Sequence, residues 1–331
     1  MVELPKRQTL ENAAKLVYEV MPPTPQYAWP LLGEALDMEV WVKHENHTPT
    51  GAFKARGGIT FINWLRATHP EVKGIITATR GNHGQSQAMA ASREGLECVV
   101  LVPEGNSTEK NDAMKGFGAE LIIHGKDFDE ARLEAERLAK ERGLFIVPSF
   151  HHALVRGVAS YGLELFSKVD DLDAVFVPIG CGSGICATIM AREALGLKTK
   201  IYGVVSENAD SAKRSFDAGD MIETKSATTF ADGMAVRVPV EEAFNIYKTY
   251  AEDIITVSDE QVADAIRLYY HATHNIAEGA GAAPLAALTK MRNQNPDEWR
   301  GKKVATILCG QNIDTEWFVK VMQGGTPHIK L

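Results

Sequence analysis

Residues 74–103 read GIITATRGNHGQSQAMAASREGLECVVLVP, and this run decides the fold class. Gly74–Ala78 is a short apolar segment with β-branched residues and a glycine boundary, which predicts a strand buried on both faces. Residues 97–103 have the same character and end on a proline. Between them, residues 85–96 place small and apolar side chains at helical spacing. A strand, a helix and a second strand in this order predict two parallel strands joined by a helical crossover.

The rhythm extends in both directions. A helical stretch ending near Gly116, the strand ELIIHG (residues 120–125), the helix FDEARLEAERLAKERGL (128–144) and the strand LFIVPS (144–149) complete one set. The alternation restarts after Phe150 with a helix over 151–168, the strand DAVFVPIG (173–180), a helix from Ile185 and the strand KIYGVVS (200–206). Residues 211–238 are less regular. Helices over 258–274 and 279–294 precede a last strand, KVATILCG (303–310). Parallel strands alternating with helices end up covered on both faces. The expected fold class is α/β, with two open, twisted, mainly parallel sheets and helices on both faces. Two units of unequal size, packed together around a cleft, fit this pattern; no low-complexity linker separates them.

Composition excludes several functions. The chain of 331 residues has 35 Lys plus Arg against 43 Asp plus Glu, a formal charge of −8, which argues against a uniformly basic nucleic-acid surface. No apolar run reaches the roughly 18 residues of a membrane span. The start, MVELPKRQTLENAAK, lacks an apolar signal core, and Cys98, Cys181, Cys186 and Cys309 have neither zinc spacing nor a disulfide framework. The expectation is a cytoplasmic protein with reduced thiols, no nucleic-acid partner and no membrane partner.

Ligands of open parallel sheets bind beyond the carboxyl ends of the strands. Three loops fall there: Thr79-Arg80-Gly81-Asn82-His83-Gly84, Gly180-Cys181-Gly182-Ser183-Gly184 and Cys309-Gly310-Gln311-Asn312. The second is the most legible. Small residues let consecutive N–H groups face one anion, and the helix that follows adds its positive end, which suits a single phosphate group. Without a following Lys-Ser/Thr, and with GxGxG spacing, neither a Walker loop nor a dinucleotide fingerprint is present. The competing reading is that the glycines serve close helix–strand packing. Lys54 lies in HTPTGAFKARGG (47–58), ahead of the helical stretch ITFINWLR. Partial desolvation of such an amine lowers its pKa and makes it a nucleophile toward carbonyls, whereas a solvated surface lysine would do nothing.

Six segments occur together in one order: HTPTGAFKARGG, TATRGNHGQSQAMA, VPIGCGSGICA, TTFADGMAV, EGAGAAPLAAL and ATILCGQN. With them the chain resembles the fold type II pyridoxal-phosphate enzymes (the tryptophan-synthase-β-like superfamily), and within these the threonine/serine dehydratase, or ammonia-lyase, family. The resemblance spans residues 20 to 315. It implies pyridoxal 5'-phosphate as cofactor and a homodimer. It also implies a large cofactor-binding domain of residues 1–64 and 150–331 and a small domain of residues 65–149.

The resemblance also implies roles. Lys54 matches the catalytic lysine that carries the cofactor as a Schiff base and later acts as base at the substrate α-carbon, and Phe53 matches the residue flanking the pyridine ring. Asn82 matches the asparagine bonded to the ring 3′-oxygen. Thr79, Arg80, Gly81, Asn82 and His83 lie in the loop that takes the substrate α-carboxylate. Gly180, Cys181, Gly182, Ser183 and Gly184 match the phosphate loop, and Cys309 matches the Ser or Cys facing the pyridine nitrogen. A thiol is a weak donor that leaves the ring largely neutral, which favours β-elimination over transamination. Outside the resemblance, Cys309 reads as a small buried hydrophobe.

Two departures matter. The glycine loop is interrupted by Cys181 and Ser183, where many members have four glycines in a row. Arg80 stands where dehydratases often carry Ala and racemases a proton-donating Ser. A guanidinium cannot donate that proton, which disfavours racemisation. It can pair with a second carboxylate, as in 3-hydroxyaspartate, or simply face solvent or a nearby Glu. Val205 replaces the Glu that ligates a divalent ion in some relatives, so no metal site is expected. The histidines at 151, 152, 271 and 274 receive no role.

The expected activity is dehydration and deamination of a β-hydroxy amino acid such as L-threonine or L-serine to a 2-oxo acid and ammonia. A specialised hydroxy-amino-acid ammonia-lyase, then a serine racemase or β-replacement synthase, and last a non-catalytic ligand-binding module are the alternatives. The end at Leu331, soon after the last motif, reads as lacking the regulatory domain of biosynthetic threonine dehydratases, hence a catabolic or specialised role.

Overall fold

In the computed structural model, which describes residues 3–328, ten strands among the described residues form two sheets. The strands are β1 (Gln26–Ala28), β2 (Glu39–His44), β3 (Gly74–Ala78), β4 (Glu97–Val102), β5 (Glu120–Ile123), β6 (Phe145–Ile146), β7 (Ala174–Pro178), β8 (Lys200–Ser206), β9 (Asp253–Val257) and β10 (Lys303–Leu308). The larger sheet has the order β1-β2-β10-β7-β8-β9 and the smaller β5-β4-β3-β6. All pairings are parallel except β1 with β2, at an edge.

The central strands look as the apolar runs require. β7 and β3 are each buried along four of five positions, and helices cover the sheets. Strands β1, β2 and β9 went unmarked in the sequence pattern. β1 is three residues long and β9 reads DIITV, so neither offers a run long enough to stand out. LFIVPS shrinks to Phe145–Ile146, with Val147 adding one N–H bond to the Ile76 carbonyl at 2.9 Å. Pro148 cannot donate, so the ladder ends there. The less regular stretch contains a helix, Ser211–Ala218, and a single 3₁₀ turn, Asp232–Met234.

One helix decides the position of the candidate lysine. Lys54 does not precede the helix but is its first residue, in Lys54–Thr68. Two residues on, Arg56 is completely buried and donates from Nε to Glu45 (2.7 Å) and from Nη1 to Glu164 (2.6 Å) and Ser160 (2.8 Å). Lys43 of β2 joins Glu164 at 2.5 Å. Guanidinium forks hold carboxylates bidentately, so the cluster fixes helix Lys54–Thr68 against helix His152–Lys168 and β2. Burial nonetheless pushes the Lys43 ammonium below its ordinary pKa, whereas Arg56 and Lys43 hold the Glu164 carboxyl below its own.

Among the described residues, no helix is long and apolar enough to cross a membrane, and no group of His, Cys, Asp or Glu is arranged to hold a metal ion. All four cysteines are free thiols.

Candidate active site

The three loops do lie at the carboxyl ends of parallel strands: Thr79 after β3, Gly180 after β7 and Cys309 after β10. Their helices begin earlier than the sequence suggested, since Asn82 and His83 open helix Asn82–Arg93, and Ser183 and Gly184 open helix Ser183–Ala194.

Backbone bonds lace two of the segments together. Phe53 N–H donates to the Cys309 carbonyl and Gln311 N–H to the Gly51 carbonyl, each at 2.9 Å, so the residues before Lys54 run alongside the loop after β10. The Lys54 ammonium lies 4.7 Å from the centroid of the Phe53 ring, within cation–π range. Ser86 donates to the Lys54 carbonyl at 2.5 Å and ties the helix of the first loop to the lysine's helix.

The glycine loop closes the other side. A Cβ on Gly180 would meet the Gly233 carbonyl oxygen at 2.2 Å, and one on Gly182, at φ +93°, would meet Ala243 Cβ at 2.6 Å. Packing alone therefore demands glycine at these two places. Gly184 differs: a Cβ there would touch Tyr161 and Phe53 only at 3.6–3.8 Å, so its free face looks toward Phe53. Gly182 provides no side-chain cap, and the N–H groups of Ser183, Gly184 and Ile185 donate to no carbonyl among the described residues. They are the orphan donors of a helix start. Ser183 is buried and Cys181 half-buried.

Four titratable groups share this space. Burial and then the Lys54 charge push His83 down to about 3, and its Nε2 is buried with no hydrogen-bond partner among the described residues. Burial, reinforced by Glu278, raises the Cys309 thiol well above its ordinary value, so it is protonated at neutral pH. Asn82 donates from Nδ2 to both oxygens of Glu278 at 2.8 and 3.0 Å, and accepts from Asn312 at 2.8 Å. Thr79 is buried and accepts from Gly81 N–H at 3.1 Å; Arg80 is exposed and makes no ion pair among the described residues.

The profile of the "pyridoxal-phosphate dependent enzyme" family matches residues 17–310. The chain belongs to this pyridoxal-phosphate family. It is 34% identical over 299 residues to the biosynthetic L-threonine dehydratase IlvA of Haemophilus influenzae, covering 90% of this chain and 58% of that one. It is 35% identical over 288 residues to the catabolic L-threonine dehydratase TdcB of Staphylococcus aureus, covering 86% and 82%. The processed threonine deaminase isoform 2 of Solanum lycopersicum superposes with a TM-score of 0.87 at 27% identity, covering 98% of this chain and 96% of that one. The chain spans less than two thirds of the length of the biosynthetic relatives.

The residues present fit a pyridoxal phosphate. The orphan N–H groups at Ser183–Ile185 suit the phosphate, Phe53 offers an apolar ring face, and the protonated Cys309 thiol suits an unprotonated ring nitrogen. The buried His83 Nε2 near Lys54 has no hydrogen-bond partner among the described residues, so a polar group brought to it would satisfy it.

Four residues of this neighbourhood received no role from the sequence: Glu278, Asn312, Lys110 and Asp232. Glu278, Asn312 and Asp232 lie inside quoted motifs. An acid heading the apolar first turns of helix Gly279–Gln294 is the one signal that singles out Glu278. Lys110 has none, because an amphipathic helix with exposed lysines reads the same way.

Proposed function

We propose that the chain catalyses the β-elimination of a β-hydroxy amino acid such as L-threonine or L-serine, giving a 2-oxo acid and ammonia. The buried, protonated Cys309 thiol carries this reading, because a thiol rather than a carboxylate at that place leaves the ring nitrogen unprotonated. When bound, the cofactor supplies an electron sink for the α-carbanion.

Lys54 serves as the attachment point for the cofactor and as the base that takes the α-proton. Phe53 would support the ring face, and Asn82 would bond the ring 3′-oxygen. Thr79, Gly81 and His83 orient the substrate carboxylate; His83 stays neutral and offers its free nitrogen without adding charge. Gly180, Cys181, Gly182, Ser183 and Gly184 hold the phosphate through backbone N–H groups, so the two non-glycine side chains are tolerated. Loss of water across Cα–Cβ leaves an enamine whose release and hydrolysis yield the products.

Arg80 supports a second reading. It is exposed beside the carboxylate loop and unpaired among the described residues, so its guanidinium is free to take a second substrate carboxylate, as in 3-hydroxyaspartate. We further read the two sheets as a large domain (1–64 and 150–331) and a small one (65–149), and the protein as a cytoplasmic homodimer.

The test is 2-oxo acid and ammonia release by the holoenzyme from L-threonine, L-serine and 3-hydroxyaspartate, with and without sulfide, alongside Arg80→Ala. Borohydride reduction and peptide mass spectrometry should locate the cofactor on Lys54. Label elsewhere, or sulfide incorporated in place of 2-oxo acid release, sinks the reading. A selective loss on 3-hydroxyaspartate in Arg80→Ala supports the acidic substrate; an equal effect on all three removes it.

A further inference from the structure

Glu278 stands at the N-cap of helix Gly279–Gln294, yet its side chain caps nothing there. The carboxyl instead turns back to Asn82, 196 residues away in sequence, and both of its oxygens accept from Nδ2, a forked contact made by one N–H that leaves the second N–H free. Glycine at 310 makes room for it: a Cβ there would lie 2.5 Å from Glu278 Oε1, and the Glu278 N–H donates to the Gly310 carbonyl at 3.0 Å. On its other side Asn82 accepts from Asn312, which donates also to the Thr50 carbonyl at 2.9 Å. Asn82 is thus held at both ends of its amide, in a chain running from the lysine's segment through the loop after β10 to the head of another helix.

A buried carboxyl cannot be removed without leaving its amide partner unsatisfied, so Glu278 and Asn82 act as one unit. Here the carboxyl faces charges from every neighbouring element: Asp232, whose charge opposes ionisation, and Lys110 and Lys54, which favour it. Burial and Asp232 win over these two cations, and the group is raised to about 7.

We propose that Glu278 is a positioning residue acting through Asn82: it sets the orientation of the Asn82 amide toward the cofactor. The proposal rests on the reading that Asn82 faces the cofactor's ring oxygen. Ionised, the carboxylate accepts the amide hydrogen strongly; protonated, it is a weaker neutral acceptor and the hold on Asn82 loosens.

The experiment compares wild type, Glu278→Gln, Glu278→Ala, Asn82→Ala and the Glu278→Ala/Asn82→Ala double variant for pyridoxal-phosphate affinity and for the visible cofactor spectrum against pH. Wild type should show a spectral inflection between about pH 6 and 8 that vanishes in Glu278→Gln, which keeps the size and an acceptor but cannot titrate. Glu278→Ala and Asn82→Ala should each weaken cofactor binding about tenfold, and the double variant no more than Asn82→Ala alone. Additive losses in the double variant, an inflection that survives in Glu278→Gln, or none in wild type overturns the proposal while leaving Asn82 its role. Unchanged affinity in Asn82→Ala overturns the Asn82 reading and the proposal with it. Should Glu278→Ala fail to fold, the isosteric Glu278→Gln decides through its spectrum.

Discussion

The ammonium of Lys110, on helix Thr108–Gly116, is paired with the carboxylate of Asp232, in the 3₁₀ turn 122 residues on, while its aliphatic stem lies beneath Gly81. Lys110 is buried, and Asp232 and Glu278 raise it above its ordinary pKa despite the opposing effect of burial. One side chain therefore joins the helix between β4 and β5, the loop after β3 and the 3₁₀ turn Asp232–Met234.

Breaking this pair from one side leaves a poorly solvated charge. Lys110→Met should lower stability by about 2–4 kcal/mol and raise KM, because the floor under Gly81 loses its anchor. Adding Asp232→Leu should recover most of the stability but not KM. Urea denaturation with steady-state kinetics checks both; a Lys110→Met protein as stable as wild type contradicts the burial argument. Gly81→Ala should behave like Lys110→Met in KM, since its Cβ would lie 2.8 Å from the pinned Lys110 Cδ.

Arg56→Met should be more damaging, at about 3–5 kcal/mol, because it leaves buried Glu45 without its cation and Glu164 with Lys43 alone. The Glu164 carboxyl, held below its ordinary pKa, contributes stability that is present above the unfolded value near pH 4 and lost as pH falls through its folded value. Thermal unfolding between pH 7 and 3 should show wild type losing stability on the acid side and Glu164→Gln losing less of it.

Glu278 works in the opposite sense. Its folded pKa of about 7 exceeds the unfolded value, so its contribution to stability is present at low pH and lost as pH rises to 7. Glu278→Gln should therefore be more stable than wild type at pH 8, by up to about 3 kcal/mol, with the advantage shrinking toward pH 4. A flat difference across that range would show that the carboxyl does not titrate late.

Under the proposed β-elimination, Cys309→Ser should stay within about tenfold of wild type, since a hydroxyl keeps the neutral, weak-donor character of the thiol. Cys309→Asp places a carboxyl beside Glu278 in a buried space and should reduce 2-oxo acid release by about a hundredfold or more. Stopped assays of 2-oxo acid with both variants decide between a dependence on size and one on charge.

Much of this molecule is written along the chain. Buried parallel strands such as AVFVP are continuous apolar runs, and glycine-marked loops follow them, so the α/β class and the three loops that meet at the site follow from local pattern. The sheet-edge strands β1 and β9 escape that reading, because a short or half-exposed edge strand needs only its neighbour's hydrogen bonds to form.

Local sequence determined the chemistry available: an amine at 54, small residues at 180–184 and a thiol at 309 are properties of single positions. Tertiary structure alone decided which charges are shared. That Glu278 holds Asn82, that Lys110 meets Asp232 and that Arg56 neutralises two acids depends on residues about 11 to 196 positions apart being desolvated together. Electrostatic energy is set by separation and dielectric in space, and neither is encoded in spacing along the chain.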